Sequence, residues 1–127
     1  MTDLSDAEEG SDDSARVVPL EDVRRRAQAP VGFERRELEM ILRLYGRMVA
    51  ANEWRDYAID HMADRAVFSV FRRTSEVPLF RIVKDPSLAR RQGAYSVVAA
   101  SGMILKRGHE LARVLTVFDK QLKLVGA

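Results

Sequence analysis

Apolar residues recur with two distinct periods after Pro30 and hardly at all before it, and that contrast limits the chain to one folded unit behind a polar leader. From Ser5 to Ser14 the sequence is Asp, Glu, Ser, Gly and Ala, too poor in apolar side chains to offset the entropy of ordering. Residues 1–30 are therefore expected to form a disordered acidic leader and linker, and residues 31–125 a single domain. Within the leader, Val17, Val18, Leu20 and Val23 make a small apolar patch, suited to a short linear motif that folds on a partner or on its own domain. Fewer than 100 residues after Pro30 suffice for one hydrophobic core.

Residues 33–51 carry the helical period. Leu38, Ile41, Leu42, Tyr45, Met48 and Val49 recur at spacings of three and four, with Glu34, Arg35, Arg36, Glu39, Arg43 and Arg47 off that stripe. Glu34 and Glu37 suit the positive end of the helix dipole, and Asn52 suits its stop. Gly46, inside the pattern, is expected to mark close packing by a neighbouring element. Residues 57–62 and 66–73 then read as a hairpin turning near 63–65. Val67 and Phe71 fall on one face of the second strand and Phe68 and Val70 on the other, the pattern of an inner strand. Further strands are expected at 79–84, 95–100 and 103–106, with Asp85-Pro86 closing one and Ser101-Gly102 turning another. Residues 87–93 form a basic loop or a helical turn. A last helix at 109–121 presents Leu111, Val114, Leu115 and Phe118. The fold class is α+β, a two-layer sandwich with an N-terminal amphipathic helix, a four- to five-stranded antiparallel meander and a C-terminal helix.

Charge is divided unevenly. The leader holds four arginines against eight acids, net −4, and the remainder 17 basic against 11 acidic residues, net +6. A basic domain admits nucleic acid as a partner. The absence of cysteine excludes disulfides and thiolate metal sites and fits a reducing cytoplasm. No signal peptide and no apolar run long enough to span a bilayer are found, so no membrane association is expected.

Three constellations bear on chemistry. Asp56, Asp60, His61 and Asp64 would support a cation site or a hydrolase-like general base only if they converged; on a strand, His61 points away from Asp56 and Asp60. His109 reads as a residue that caps the last helix. The serines at 69, 96 and 101 lack a nucleophile elbow, and the glycines make no phosphate loop. No catalytic, cofactor or metal residue is assigned. Arg72, Arg73, Arg81, Arg90 and Arg91 would be the contacts of a nucleic-acid-binding module. The element order is similar to that of double-stranded-RNA-binding domains, although the last helix opens His109-Glu110 instead of with lysines. Phe68 or Phe71 with Val70, Ile82 and Val98 would be the interaction face if one side of the sheet were left open. The expected function is a non-enzymatic binding or adaptor domain acting through protein–protein contact or self-association.

Taken together, Phe33-Glu34-Arg35-Arg36-Glu37-Leu38, Tyr45-Gly46-Arg47-Met48-Val49-Ala50, Glu53-Trp54-Arg55-Asp56-Tyr57, Phe68-Ser69-Val70-Phe71-Arg72-Arg73, Gly93-Ala94-Tyr95-Ser96-Val97-Val98 and Leu105-Lys106-Arg107-Gly108-His109 resemble a family of small alphaproteobacterial proteins defined by a domain of unknown function. The resemblance spans about residues 33 to 124. It implies a bacterial cytoplasmic protein and carries over no site residue.

Overall fold

The structure is a computed structural model and describes residues 29–73 and 77–120. The leader reading and the apolar patch at 17–23 lie outside the described residues. Helix α1 (Arg35–Ala50) leads into strands β1 (Asp56–His61), β2 (Ala66–Phe71), β3 (Phe80–Lys84), β4 (Tyr95–Ala99) and β5 (Ile104–Gly108), then the short helix α2 (Leu111–Leu115) and a 3-10 turn at Thr116–Phe118. The strands pair in sequence order as one antiparallel sheet, the α+β meander expected from the alternation of polar and apolar residues.

Each end of α1 is closed by local chemistry. At its start the Glu37 side chain accepts the Glu34 backbone N–H at 2.7 Å, satisfying a donor that the first turn leaves unpaired. At its end the Asn52 N–H donates to the Val49 carbonyl and the Glu53 N–H to the Met48 carbonyl, with Asn52 in the left-handed region at φ 64°. This paired closure is the Schellman pattern, in which asparagine is tolerated after glycine. Asn52 thus stops the helix as expected. Gly46 does not serve close packing: a Cβ there would meet no atom within 4 Å, and the residue is exposed.

One face of the sheet is covered. Ile41, Leu44 and Met48 of α1 and Leu111, Val114, Leu115 and Phe118 from the C-terminal elements bury Phe68, Val70, Ile82 and Val97 of the sheet, with Trp54 between them. Phe118 is held edge-on by Trp54 at 5.0 Å and by Phe80 at 5.1 Å. That aromatic clasp anchors an α2 of five residues, too short to persist on its own helix-forming tendency. Helical backbone runs from Leu111 to Lys120, the end of the described residues, with the 3-10 turn inside it, close to the helix expected at 109–121. His109 and Glu110 precede it, and β5 runs on to Gly108 because Gly108 and Arg107 pair with Tyr95 and Ser96 of β4.

Two glycines make the β4–β5 pairing possible. Gly102, at φ 92°, closes a three-residue loop after the Ala99 turn, where its N–H donates to the Ala99 carbonyl at 2.8 Å. Gly93, at φ 101°, lies so close to the end of β5 that a Cβ would sit 2.1 Å from the Gly108 carbonyl carbon. No helix among the described residues is long and apolar enough to cross a membrane.

Candidate functional site

The other face of the sheet carries no helix among the described residues. Because side chains alternate along a strand, burying Phe68, Val70, Ile82 and Val97 under the helices sends Val67, Ser69, Phe71, Arg81, Val83, Ser96 and Val98 the opposite way. The antiparallel register sets these residues in two rows that cross all five strands. Ala58, Ser69, Arg81, Val98 and Ile104 make one row; Asp60, Val67, Val83, Ser96 and Arg107 make the other. The result is a shallow groove of about 480 Å³ floored by Val67, Ser69, Phe71, Val83 and Val98, with Met62, Arg65 and Asp60 along one side. A second depression, lined by Ser96, Val98, Ile104, Gly102 and Arg107, continues it toward β5.

This face contains unmatched polar groups. Ser69 and Ser96 are each only 5% exposed, yet neither hydroxyl has a hydrogen-bond partner among the described residues. Arg81, on the central strand beside Ser69, is half-buried and has no ion-pair or hydrogen-bond partner among them either. Other arginines are engaged: Arg65 with Asp64 at 3.2 Å, Arg72 with Glu53 at 3.3 Å, and Arg107 with the Gln92 amide oxygen at 2.6 Å. A guanidinium is costly to hold over apolar surface without a counter-charge. Arg81 and the Ser69 hydroxyl together are what a carboxylate or another small anion would pair with.

Three of the four residues expected to form an interaction face are therefore misplaced. Phe68, Val70 and Ile82 are fully buried beneath α1 and α2, and only Val98 lies on the open side. The alternation holds, but both faces of β2 are apolar, so nothing in its own pattern selects the face that receives the helices.

The arginines proposed for nucleic acid do not gather. Arg72 and Arg73 follow β2 at one end of the sheet, Arg90 and Arg91 follow β3 at the other, and Arg81 lies between them on the groove floor. The aspartates and histidine of the 56–64 segment diverge as well. Asp56 and Asp60 share the open face, His61 projects to the helical side, and Asp64 sits in the turn paired with Arg65. Among the described residues no group of three His, Cys, Asp or Glu side chains could hold a metal ion. His109 makes no cap bond there; its ring lines a groove of about 320 Å³ with Glu37, Tyr95 and Leu111.

Glu37 is the buried ionisable group that periodicity passed over. Its carboxylate accepts from the Lys84 ammonium at 2.8 Å and from the Tyr95 hydroxyl, and Lys84 also donates to the Gly32 carbonyl at 3.0 Å. Burial alone would raise the Glu37 carboxyl, but the hydrogen bonds from Lys84, Tyr95 and the Glu34 amide outweigh it and hold the group below its usual range. Burial, with the Glu37 charge beside it, pushes the Tyr95 hydroxyl well above the ordinary phenol value. At neutral pH the carboxylate stays ionised and the phenol protonated. The trio is arranged to pin the start of α1 to β3 and β4, not to exchange protons. The signal for it was present: Glu37 stands four residues before Ile41 and so shares the stripe of Ile41, Leu44 and Met48.

A family model described as a protein of unknown function, DUF2794, matches residues 31–115, a span containing α1, every strand and α2. No curated protein and no solved structure matches the chain.

Proposed function

This chain belongs to the DUF2794 family of proteins of unknown function, and we propose that it works by binding, with the open sheet face receiving an extended polypeptide segment of a partner protein. The observation that carries this reading is Arg81: a half-buried guanidinium in the groove that, like the buried Ser69 hydroxyl beside it, has no partner among the described residues. The segment that fits has one or two carboxylates set among aliphatic side chains. The carboxylates would meet Arg81 and Ser69, and the aliphatic groups Val67, Phe71, Val83 and Val98.

Selection of peptides from a random displayed library against the full-length protein tests the reading. Recovered sequences should centre on Asp or Glu flanked by aliphatic residues, and Arg81→Glu or Val98→Asp should abolish their binding. Peptides indifferent to both substitutions would overturn it. So would nucleic acid that copurifies and is lost on Arg90→Glu with Arg91→Glu, or a dimer that Val98→Asp dissolves.

A further inference from the structure

We propose that the chain pairs with a second copy of itself along the free edge of β5, joining two five-stranded sheets into one. The inference concerns a strand edge and does not depend on the peptide-binding reading. β5 ends the sheet, and among the described residues nothing beyond its ladder with β4 bonds to the main chain from Ile104 to Gly108. An edge left in this way offers unpaired N–H and C=O groups to another strand. The opposite edge is better guarded. In β1 the Tyr57 N–H is taken by the Asp56 carboxylate at 2.9 Å, and just past its end the Met62 carbonyl accepts the Val31 N–H at 2.9 Å.

Side chains along the same edge supply apolar contact. Met103, Ile104 and Leu105 are 61%, 48% and 37% exposed, the only consecutive run of exposed large apolar residues among the described residues. Edges are usually defended by a bulge and a lysine, and β5 has both: Val97 pairs with Lys106 and Val98 with Ile104, so Leu105 is an extra residue. The charges, however, are turned onto their own chain. The Lys106 ammonium donates to the Thr116 hydroxyl at 3.2 Å and the Arg107 guanidinium to the Gln92 amide oxygen at 2.6 Å, which leaves their aliphatic stems along the strand.

The segment is complementary to itself. Opposed residues of an antiparallel pair point to the same face, and Ile104 and Arg107, opposite Val98 and Ser96, both belong to the face without a helix. A two-fold axis normal to the sheet, passing between Leu105 and Lys106, sets each Ile104 against the second copy's Arg107 and each Leu105 against the second copy's Lys106. No two like charges then stand directly opposite. A shift by one residue fails in either direction: one way it opposes the two copies of Lys106, the other way it opposes Ile104 to Lys106, which shares the covered face with its neighbour Val97. The same patch serves both copies, so the contact closes at a dimer.

Sedimentation of the full-length protein tests this. A concentration-dependent dimer is expected, with amide hydrogen exchange that slows along Ile104–Gly108, and not along β1, as concentration rises. Ile104→Lys brings a like charge against the second copy's Arg107 and, counted twice by the symmetry, should weaken the dimer on the order of 10-fold or more. Trp54 is buried, so unchanged emission from this variant shows that its core is intact. Adding Arg107→Glu to the same chain should recover the affinity, a rescue specific to this register. A monomer at every concentration, a dimer indifferent to Ile104→Lys, or protection that falls on β1 would overturn the proposal. A double variant that associates no more tightly than Ile104→Lys would overturn the two-fold pairing. So would a monomer whose β5 amides are protected only by a peptide from the displayed library, since the edge then takes a foreign strand.

Discussion

Glu37 shows how one side chain can decide where a helix sits. Its carboxylate ends on the Lys84 ammonium, the Tyr95 hydroxyl and the Glu34 amide, so Glu37→Gln leaves a mostly buried lysine without its counter-charge. The expected loss is about 2–4 kcal/mol in denaturant unfolding. Because the folded-state value is depressed, the contribution is complete above the unfolded carboxyl value of 4.5 and is lost as pH falls through the lower folded value. A native profile that declines in acid and flattens in Glu37→Gln is the expected result. Tyr95 has the opposite sign: its raised hydroxyl stabilises below the ordinary phenol value of 10.0, and the contribution disappears at higher pH. Gly46 is the converse case, a residue with no structural task. It is exposed on a helix and has no neighbour for a Cβ to meet, so Gly46→Ala should stabilise by about 1 kcal/mol, measurable as a higher unfolding midpoint.

Among the elements, α2 depends most on its neighbours. Five residues cannot hold a helix by backbone hydrogen bonds alone; Leu111, Val114 and Leu115 bury against the sheet, and Phe118 closes the assembly between Trp54 and Phe80. Phe118→Ala should cost about 3–5 kcal/mol. Trp54 is the sole tryptophan, so its emission should move to longer wavelength as water enters, before global unfolding. The apolar stripe of this helix was legible in the sequence. The 3-10 turn at Thr116–Phe118 inside the helical run was not, because it depends on the packing of Phe118 against Trp54 and Phe80. Strand positions were legible throughout, since Pro86, Gly102 and the Ala63-Asp64 turn interrupt the alternation at the correct places.

For the molecule as a whole, one face of the sheet builds the core, and the proposed binding role falls to the other. Arg81 touches no counter-charge among the described residues, so Arg81→Ala should shift unfolding free energy by no more than about 0.5 kcal/mol while abolishing capture of acidic-aliphatic peptides. A large loss of stability would show that Arg81 is structural and remove the reading.

The two hydrophobic periods and the turn residues determined a helix, four to five strands and a terminal helix without any tertiary information, because each is a local property of neighbouring residues. Which side of the sheet the helices cover was decided only in three dimensions. A period of two sorts β2 into Phe68 and Val70 against Val67 and Phe71, but both sets are apolar. The choice is made by Glu37 with Lys84 and Tyr95, and by Phe118 with Trp54 and Phe80, contacts between residues distant in the chain. That choice sets Arg81 and Ser69 together on the side that carries no helix among the described residues.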